Sequence, residues 1–306
     1  MVYRLMVGLA AVGVEHVLMM PAASGLYDSL ERTLRAASSA GERRPLPRLE
    51  LVEMTVRHTA SDTVDALAAM ERRGVAVVVV LGGDGTNRIV ARHSDADLPL
   101  CALSTGTNNA FPEMREATVA GMAAGLVARC RIGEEALRRE KILRVDVNGE
   151  MNKDCALVDV AVNSERFVGA RALWRPREIS EVVVSSARPD AVGLSSIAGL
   201  LEPTVQDGLH IRLVPPDVAR TVLTVPLAPG LVVPVGVEEV NRLEPGEAVA
   251  LAPGAGSIAL DGEREIEVGP SDEIEVRLDP NGPLTIDIEE AMRQAARRGL
   301  LNGTLP

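Results

Sequence analysis

The chain is 306 residues long, 46% hydrophobic and only 2% aromatic, with a net charge of −11 at neutral pH. That length predicts about two domains, each able to bury a core. The acidic balance and the scarcity of rings exclude nucleic acid and an anionic membrane surface as main partners.

In chain order, residues from Tyr3 to Ala11 read as a short helix with Leu5, Met6, Leu9 and Ala10 on one face. A strand follows over Val14–Met20, stopped by Pro21, and Ser24-Gly25 opens a helix expected to run to Ala37. Leu49–Val56 alternates as a second strand, and Ser61 or Asp62 is the expected N-cap of a helix ending at Gly74. Val75–Leu81 is a continuous β-branched run, as in a strand buried on both faces, and Leu98–Leu103 is a shorter one. Alternating helix and strand predict an α/β domain, Rossmann-like, with a mostly parallel sheet over residues 1–139.

Beyond Lys141 the pattern changes to short alternating segments punctuated by Pro and Gly. They are Ile142–Val147, Ala156–Val162, Glu181–Ser185, Leu209–Val214, Thr221–Val225, Ser257–Leu260, Glu265–Val268 and Glu273–Leu278. Residues 140–287 therefore read as an all-β, sandwich-like domain with a short helix near Ser195–Leu201. Residues 288–306 hold a closing amphipathic helix, capped by Asp287 with Glu290 three residues on.

No apolar stretch reaches the ~18–20 residues of a membrane span, and the N-terminus lacks the parts of a secretory signal. A soluble, cytoplasmic protein is expected. Cys101, Cys130 and Cys155 are far apart and read as reduced thiols. His16, His58, His93 and His210 form no metal-ligand pattern. Lys141 and Lys153 are the only lysines, so a phosphate site must use backbone N–H groups, helix N-termini and arginines.

The chemistry concentrates in two loops. Gly82-Gly83-Asp84-Gly85-Thr86-Asn87 follows the buried strand and precedes resumed apolar periodicity at Ile89. Glycines let the backbone approach phosphates, and the helix start points N–H groups at negative charge. Asp84 suits such a place only as a Mg²⁺ ligand or as a base for an attacking hydroxyl, both parts of phosphoryl transfer. The bland alternative is a tight turn with a capping acid. Ser104-Thr105-Gly106-Thr107-Asn108-Asn109-Ala110-Phe111 is a second polar loop at the end of a second strand. The two would line one crevice.

Gly82–Thr86 resembles the glycine-aspartate signature of NAD kinases, bacterial diacylglycerol kinases and sphingosine kinases. Gly106–Phe111 is similar to the second nucleotide loop of the lipid-kinase branch. The run Leu103–Gly125, with Asp154–Val160 and Phe167–Trp174, resembles the ATP-NAD kinase-like acetoin catabolism protein X group. The resemblance implies an NAD kinase-like two-domain fold with the last helix returning to the first domain. It also implies ATP as donor, Mg²⁺, and NAD or a similar nucleotide as partner, in a homo-oligomer (dimer or tetramer).

Residue by residue, it makes Asp84 the base and metal-organising carboxylate. Gly82, Gly83, Gly85, Thr86, Asn87, Gly106, Thr107 and Asn108 become nucleotide contacts. Asn109, Asp159 and Arg171 become substrate contacts. Asp159 matches the acidic half of the ribose-binding pair of NAD kinases, with Val158 in place of its asparagine. Asp261-Gly262-Glu263 resembles the lipid-kinase turn whose glutamate assists the base, although Asp-Gly between strands is also a common hairpin turn. Family members open with a strand and an Asn-Pro-x-Ser-Gly loop. Here Pro21–Gly25 is a faint echo, and the first strand is expected to be missing. Three readings follow: an NAD kinase, a kinase acting on a lipid or small alcohol, and a non-catalytic nucleotide-binding accessory or sensor protein linked to acetoin catabolism.

Overall fold

The computed structural model of the chain describes residues 1–21, 27, 30–33, 46–165, 176–203 and 207–302. Most of the helix expected from Ser24 to Ala37, the Pro21–Gly25 echo beyond Pro21, and Phe167–Trp174 with Arg171 lie outside them.

Helix α1 (Val2–Ala11) buries Leu5, Met6 and Leu9. Strands β1 (His16–Met19) and β2 (Arg48–Leu51) pair in parallel with each other. The second strand is shorter than its alternation predicts. The Asp62 carboxylate accepts the N–H groups of Arg57 (2.9 Å) and His58 (2.7 Å), and His58 is left-handed at φ 62°. Asp62 therefore fixes the turn before helix α2 (Ser61–Arg72) instead of capping it; the N-cap is Ala60.

The chain continues through β3 (Val78–Gly82), α3 (Asp84–His93), β4 (Leu100–Ser104) and α4 (Ala117–Ala128). β3 and β4 run parallel from Val78↔Leu100 to Gly82↔Ser104. Leu67 of α2 and Val90 of α3 cover Val78 and Val80 on one face. Leu5, Leu9, Ala120 and Ala124 of α1 and α4 pack with Cys101 and Leu103 on the other. Helices on both sides of a parallel pair explain its unbroken apolar run. The two helices nearly touch: a Cβ added at Gly121 would sit 2.3 Å from the Leu5 carbonyl oxygen.

The second half is a β-sandwich. A four-stranded antiparallel sheet is ordered β13 (Ala248–Leu251), β16 (Ile274–Asp279), β6 (Ile142–Val147), β7 (Glu150–Ala156). A seven-stranded antiparallel sheet is ordered β11 (Thr221–Ala228), β12 (Leu231–Leu243), β10 (Gly208–Val214), β9 (Ile179–Val184), β8 (Asp159–Asn163), β14 (Gly256–Leu260), β15 (Glu263–Val268). Alternation sorts the side chains of its central strands. Val160, Val162, Val183, Ile258 and Leu260 meet the four-stranded sheet. Ala161, Val182, Val184 and Ala259 face the core that helix α5 (Ser195–Leu201) covers with Ile197 and Ala198. β12 escaped the sequence reading because Pro234 and Gly236 break its pattern. Pro234 pairs only with Thr224 of β11, beyond the end of β10, where no second ladder needs its missing N–H.

Strand β17 (Leu284–Ile286) then joins the first half, between β4 and β5 (Leu137–Arg139), parallel to β4 through Thr285↔Leu100. Helix α6 (Ile288–Arg297) follows it and packs Ile288 and Ala291 into the core shared by α1 and α4. Its start is capped as its sequence predicts, with Asp287 accepting the Glu290 N–H at 2.9 Å. Among the described residues no helix is long and apolar enough to cross a membrane.

Candidate functional site

Gly82 ends β3, Gly83 is the extended N-cap, and Asp84 is the first residue of α3. The second loop leaves β4 after Ser104. Both loops thus sit at the carboxyl ends of adjacent parallel strands, where open α/β sheets collect ligands. They are tied together. Asn109 accepts the Asp84 N–H (3.3 Å) and donates to Ser104 Oγ (2.8 Å), which in turn donates to the Gly106 carbonyl (2.7 Å). A Cβ on Gly83 would lie 2.6 Å from Asn109 Oδ1, so the contact requires glycine. Gly106, Thr107 and Asn108 remain exposed, with both backbone polar groups of Gly106 held by Ser104 Oγ.

Asp84 holds the same junction from the other side. Its carboxylate accepts the N–H groups of Ala110 (3.0 Å) and Phe111 (2.8 Å). Burial raises its pKa, against those two hydrogen bonds and the Arg188 guanidinium, which lower it; nearby Glu263 raises it again. Asn87, predicted as a nucleotide contact, is fully buried and donates to the Gly83 carbonyl at 2.9 Å. It supports the glycine turn from behind. The Thr86 side chain packs beside Gly82, also on the loop's inner side.

The other half contributes the turn between β14 and β15. Asp261 (φ 51°) and Gly262 (φ 77°) are both left-handed, the geometry of a two-residue hairpin turn, so that plain reading of Asp-Gly is correct. Glu263 reaches the first loop, its Oε2 4.0 Å from where a Cβ on Gly85 would stand. Asp261 accepts the Val158 N–H at 2.7 Å and the Leu157 N–H at 3.2 Å. Asp159 is buried: its backbone carbonyl accepts the Asp261 N–H at 2.9 Å, while its Oδ1 takes no hydrogen bond from the described residues. Desolvation first, then the neighbouring carboxylates, push Asp159 up to about 8. Asp261 rises to about 7 for the same causes.

Sequence reasoning missed the cations around these acids. Arg88, one helical turn after Asp84, is buried with Nη1 3.5 Å from Asp154 and Nε 3.9 Å from Asp261. Arg92 pairs with the same Asp154 at 2.9 Å. The spacing from Asp84 was the available signal for both. Arg188, between β9 and α5, donates to the Ala110 carbonyl at 2.9 Å, and nothing in its local sequence marks it.

Among the described residues no three His, Cys, Asp or Glu side chains converge on a point that could hold a metal. Mg²⁺ asks for less, binding through one or two carboxylates plus substrate phosphates. Asp84 and Glu263 supply that number beside the loops, so the donors fit an ion that arrives with a nucleotide.

A sandwich joined to a parallel sheet, with paired glycine-rich loops at the sheet's carboxyl end, defines the NAD kinase class of fold. Residues 3–130 match the ATP-NAD kinase N-terminal domain family and residues 141–281 the acetoin catabolism protein X C-terminal domain family. Yeast NADH kinase complexed with NADH shares the fold at a TM-score of 0.51 and 14% identity, over 99% of this chain and 85% of that chain. The acetoin catabolism protein X of Cupriavidus necator is 45% identical over 307 aligned residues, 98% of this chain and 85% of that protein. The chain belongs to the acetoin catabolism protein X family.

Proposed function

We propose that the protein is a cytoplasmic, Mg²⁺-dependent kinase, working as a homo-oligomer, that moves the γ-phosphoryl group of ATP to a hydroxyl. The acceptor is the 2′-hydroxyl of the adenosine ribose of NAD, and the product is NADP. The observation that carries the reading is Asp84, a pKa-raised carboxylate at the meeting point of two phosphate-type loops. A binding loop alone gains nothing from an acid beside phosphates, whereas transfer needs a base there.

The first-turn N–H groups of Gly85 and Thr86 and those of Thr107 and Asn108 hold the phosphates. The attacking hydroxyl oxygen bonds to the γ-phosphorus as the bond from that phosphorus to the β,γ-bridging oxygen breaks, releasing ADP. Asp84 receives the hydroxyl proton, and its raised pKa suits that task. Bound Mg²⁺ would neutralise charge on the phosphate oxygens, with Asp84 and Glu263 as the carboxylates to hold it. Asp159 is buried and its carbonyl takes the Asp261 N–H at 2.9 Å, so it acts on the acceptor through the Asp261–Gly262 turn.

A second reading, a non-catalytic nucleotide-binding protein serving acetoin catabolism, draws on one observation. Both Asp84 oxygens already accept backbone amides, which a purely structural acid would also do. Labelled ATP offered with NAD, NADH, glycerol and diacylglycerol separates the readings. Label in NADP supports the first. Label in another alcohol moves the acceptor. ATP bound with no label transferred supports the second.

A further inference from the structure

A cleft of about 340 Å³ opens beside the second loop, between Thr107, Asn109, Arg115 and Arg188. It lies in an acidic neighbourhood. Glu113 stands on its wall, and the Asp84 carboxylate lies behind Ala110, whose N–H it accepts at 3.0 Å. An anionic substrate group entering here meets repulsion unless a cation answers it. Arg115 is engaged by Glu113 at 2.7 Å. Arg88 is buried against Asp154 and Asp261.

Arg188 differs from both. Its side chain is 46% exposed, one N–H rests on the Ala110 carbonyl at 2.9 Å, its ion-pair partner Asp190 is 3.8 Å away and 78% exposed, and its charge also reaches Asp84. A guanidinium carries five N–H donors in a fixed fork that matches a phosphate edge. We propose that Arg188 is the cation of an oxyanion subsite in this cleft, taking a phosphate or pyrophosphate group of the substrate against the Gly106–Ala110 loop. The assignment of that group to a nucleotide rests on the kinase reading; the subsite itself does not.

The geometry also links the subsite to the reacting centre. The Ala110–Phe111 peptide is held twice, its N–H by Asp84 of the first half and its carbonyl by Arg188 of the second. An anion on Arg188 therefore presses on the same peptide that positions the base. Arg188 acts as a binding and positioning residue.

Calorimetric titration of the full chain with inorganic pyrophosphate, and separately with ATP, tests the proposal. The expected result is that Arg188→Ala weakens pyrophosphate binding about tenfold or more, the worth of a charge-assisted hydrogen-bond pair. Arg188→Lys, which keeps the charge without the fork and guards against misfolding of the alanine variant, loses part of the affinity. Arg212→Ala, which removes a remote exposed arginine paired with Glu239, binds as the wild type does. Pyrophosphate bound equally tightly by wild type and both Arg188 variants overturns the subsite. Arg188-dependent pyrophosphate binding without ATP binding keeps the subsite and sinks the kinase reading. ATP binding indifferent to Arg188 does the reverse, and no binding of either overturns both.

Discussion

The backbone N–H of Phe111 donates to the carboxylate of Asp84 at 2.8 Å, so the acid of the first loop is also the clamp on the second. Position and chemistry are joined in one side chain. Asp84→Ala leaves the Ala110 and Phe111 amides without their acceptor and is expected to cost about 1–3 kcal/mol of stability. Asp84→Asn keeps an acceptor oxygen and should unfold close to the wild type while losing turnover. Urea unfolding of the two variants beside a turnover assay checks this; equal destabilisation by both would remove the clamp.

Arg88 is the buried cation between Asp154 and Asp261. Asp261 is 1% exposed in its side chain and 3.9 Å from the guanidinium. Arg88→Met strands that carboxylate and is expected to destabilise the protein by roughly 3 kcal/mol. Adding Asp261→Asn should recover part of the loss, a coupling that a double-mutant cycle measures. Strictly additive losses would contradict the pairing.

The touching backbones of α1 and α4 leave no room at Gly121. Gly121→Ala should force the helices apart and lower stability by about 1–3 kcal/mol, despite alanine's better helix propensity. A thermal melt at or above the wild-type midpoint would refute the close approach.

Buried acids make stability depend on pH in an unusual direction. Asp159 is raised from the ordinary 3.8 to about 8, and Asp261 to about 7. The folded state keeps protons that the unfolded chain releases, so this contribution is full below the ordinary carboxyl value. It fades as pH rises through the raised values. Relative to wild type, Asp159→Asn should therefore gain stability between about pH 5 and pH 8. Melting profiles that run parallel across that range would exclude a raised Asp159.

Much of the fold was legible because burial writes itself into periodicity. The unbroken run at Val78 marked a strand covered on both faces, and Asp287 with Glu290 marked the last helix. What stayed hidden depends on long-range pairing. Leu284–Ile286 is too short to announce that it returns to Leu100, and β12 is masked by Pro234. The site divides in the same way. Glycine-rich turns are local and visible, while the burial of Asn87 and Asp159 and the reach of Arg88 and Arg188 are products of packing.

The most direct measurement is NADP formation by purified protein given Mg-ATP and NAD, with Asp84→Asn run alongside. NADP made by the wild type and abolished in a variant that remains folded is the predicted result. A folded wild type that binds ATP and NAD yet forms no NADP would contradict it.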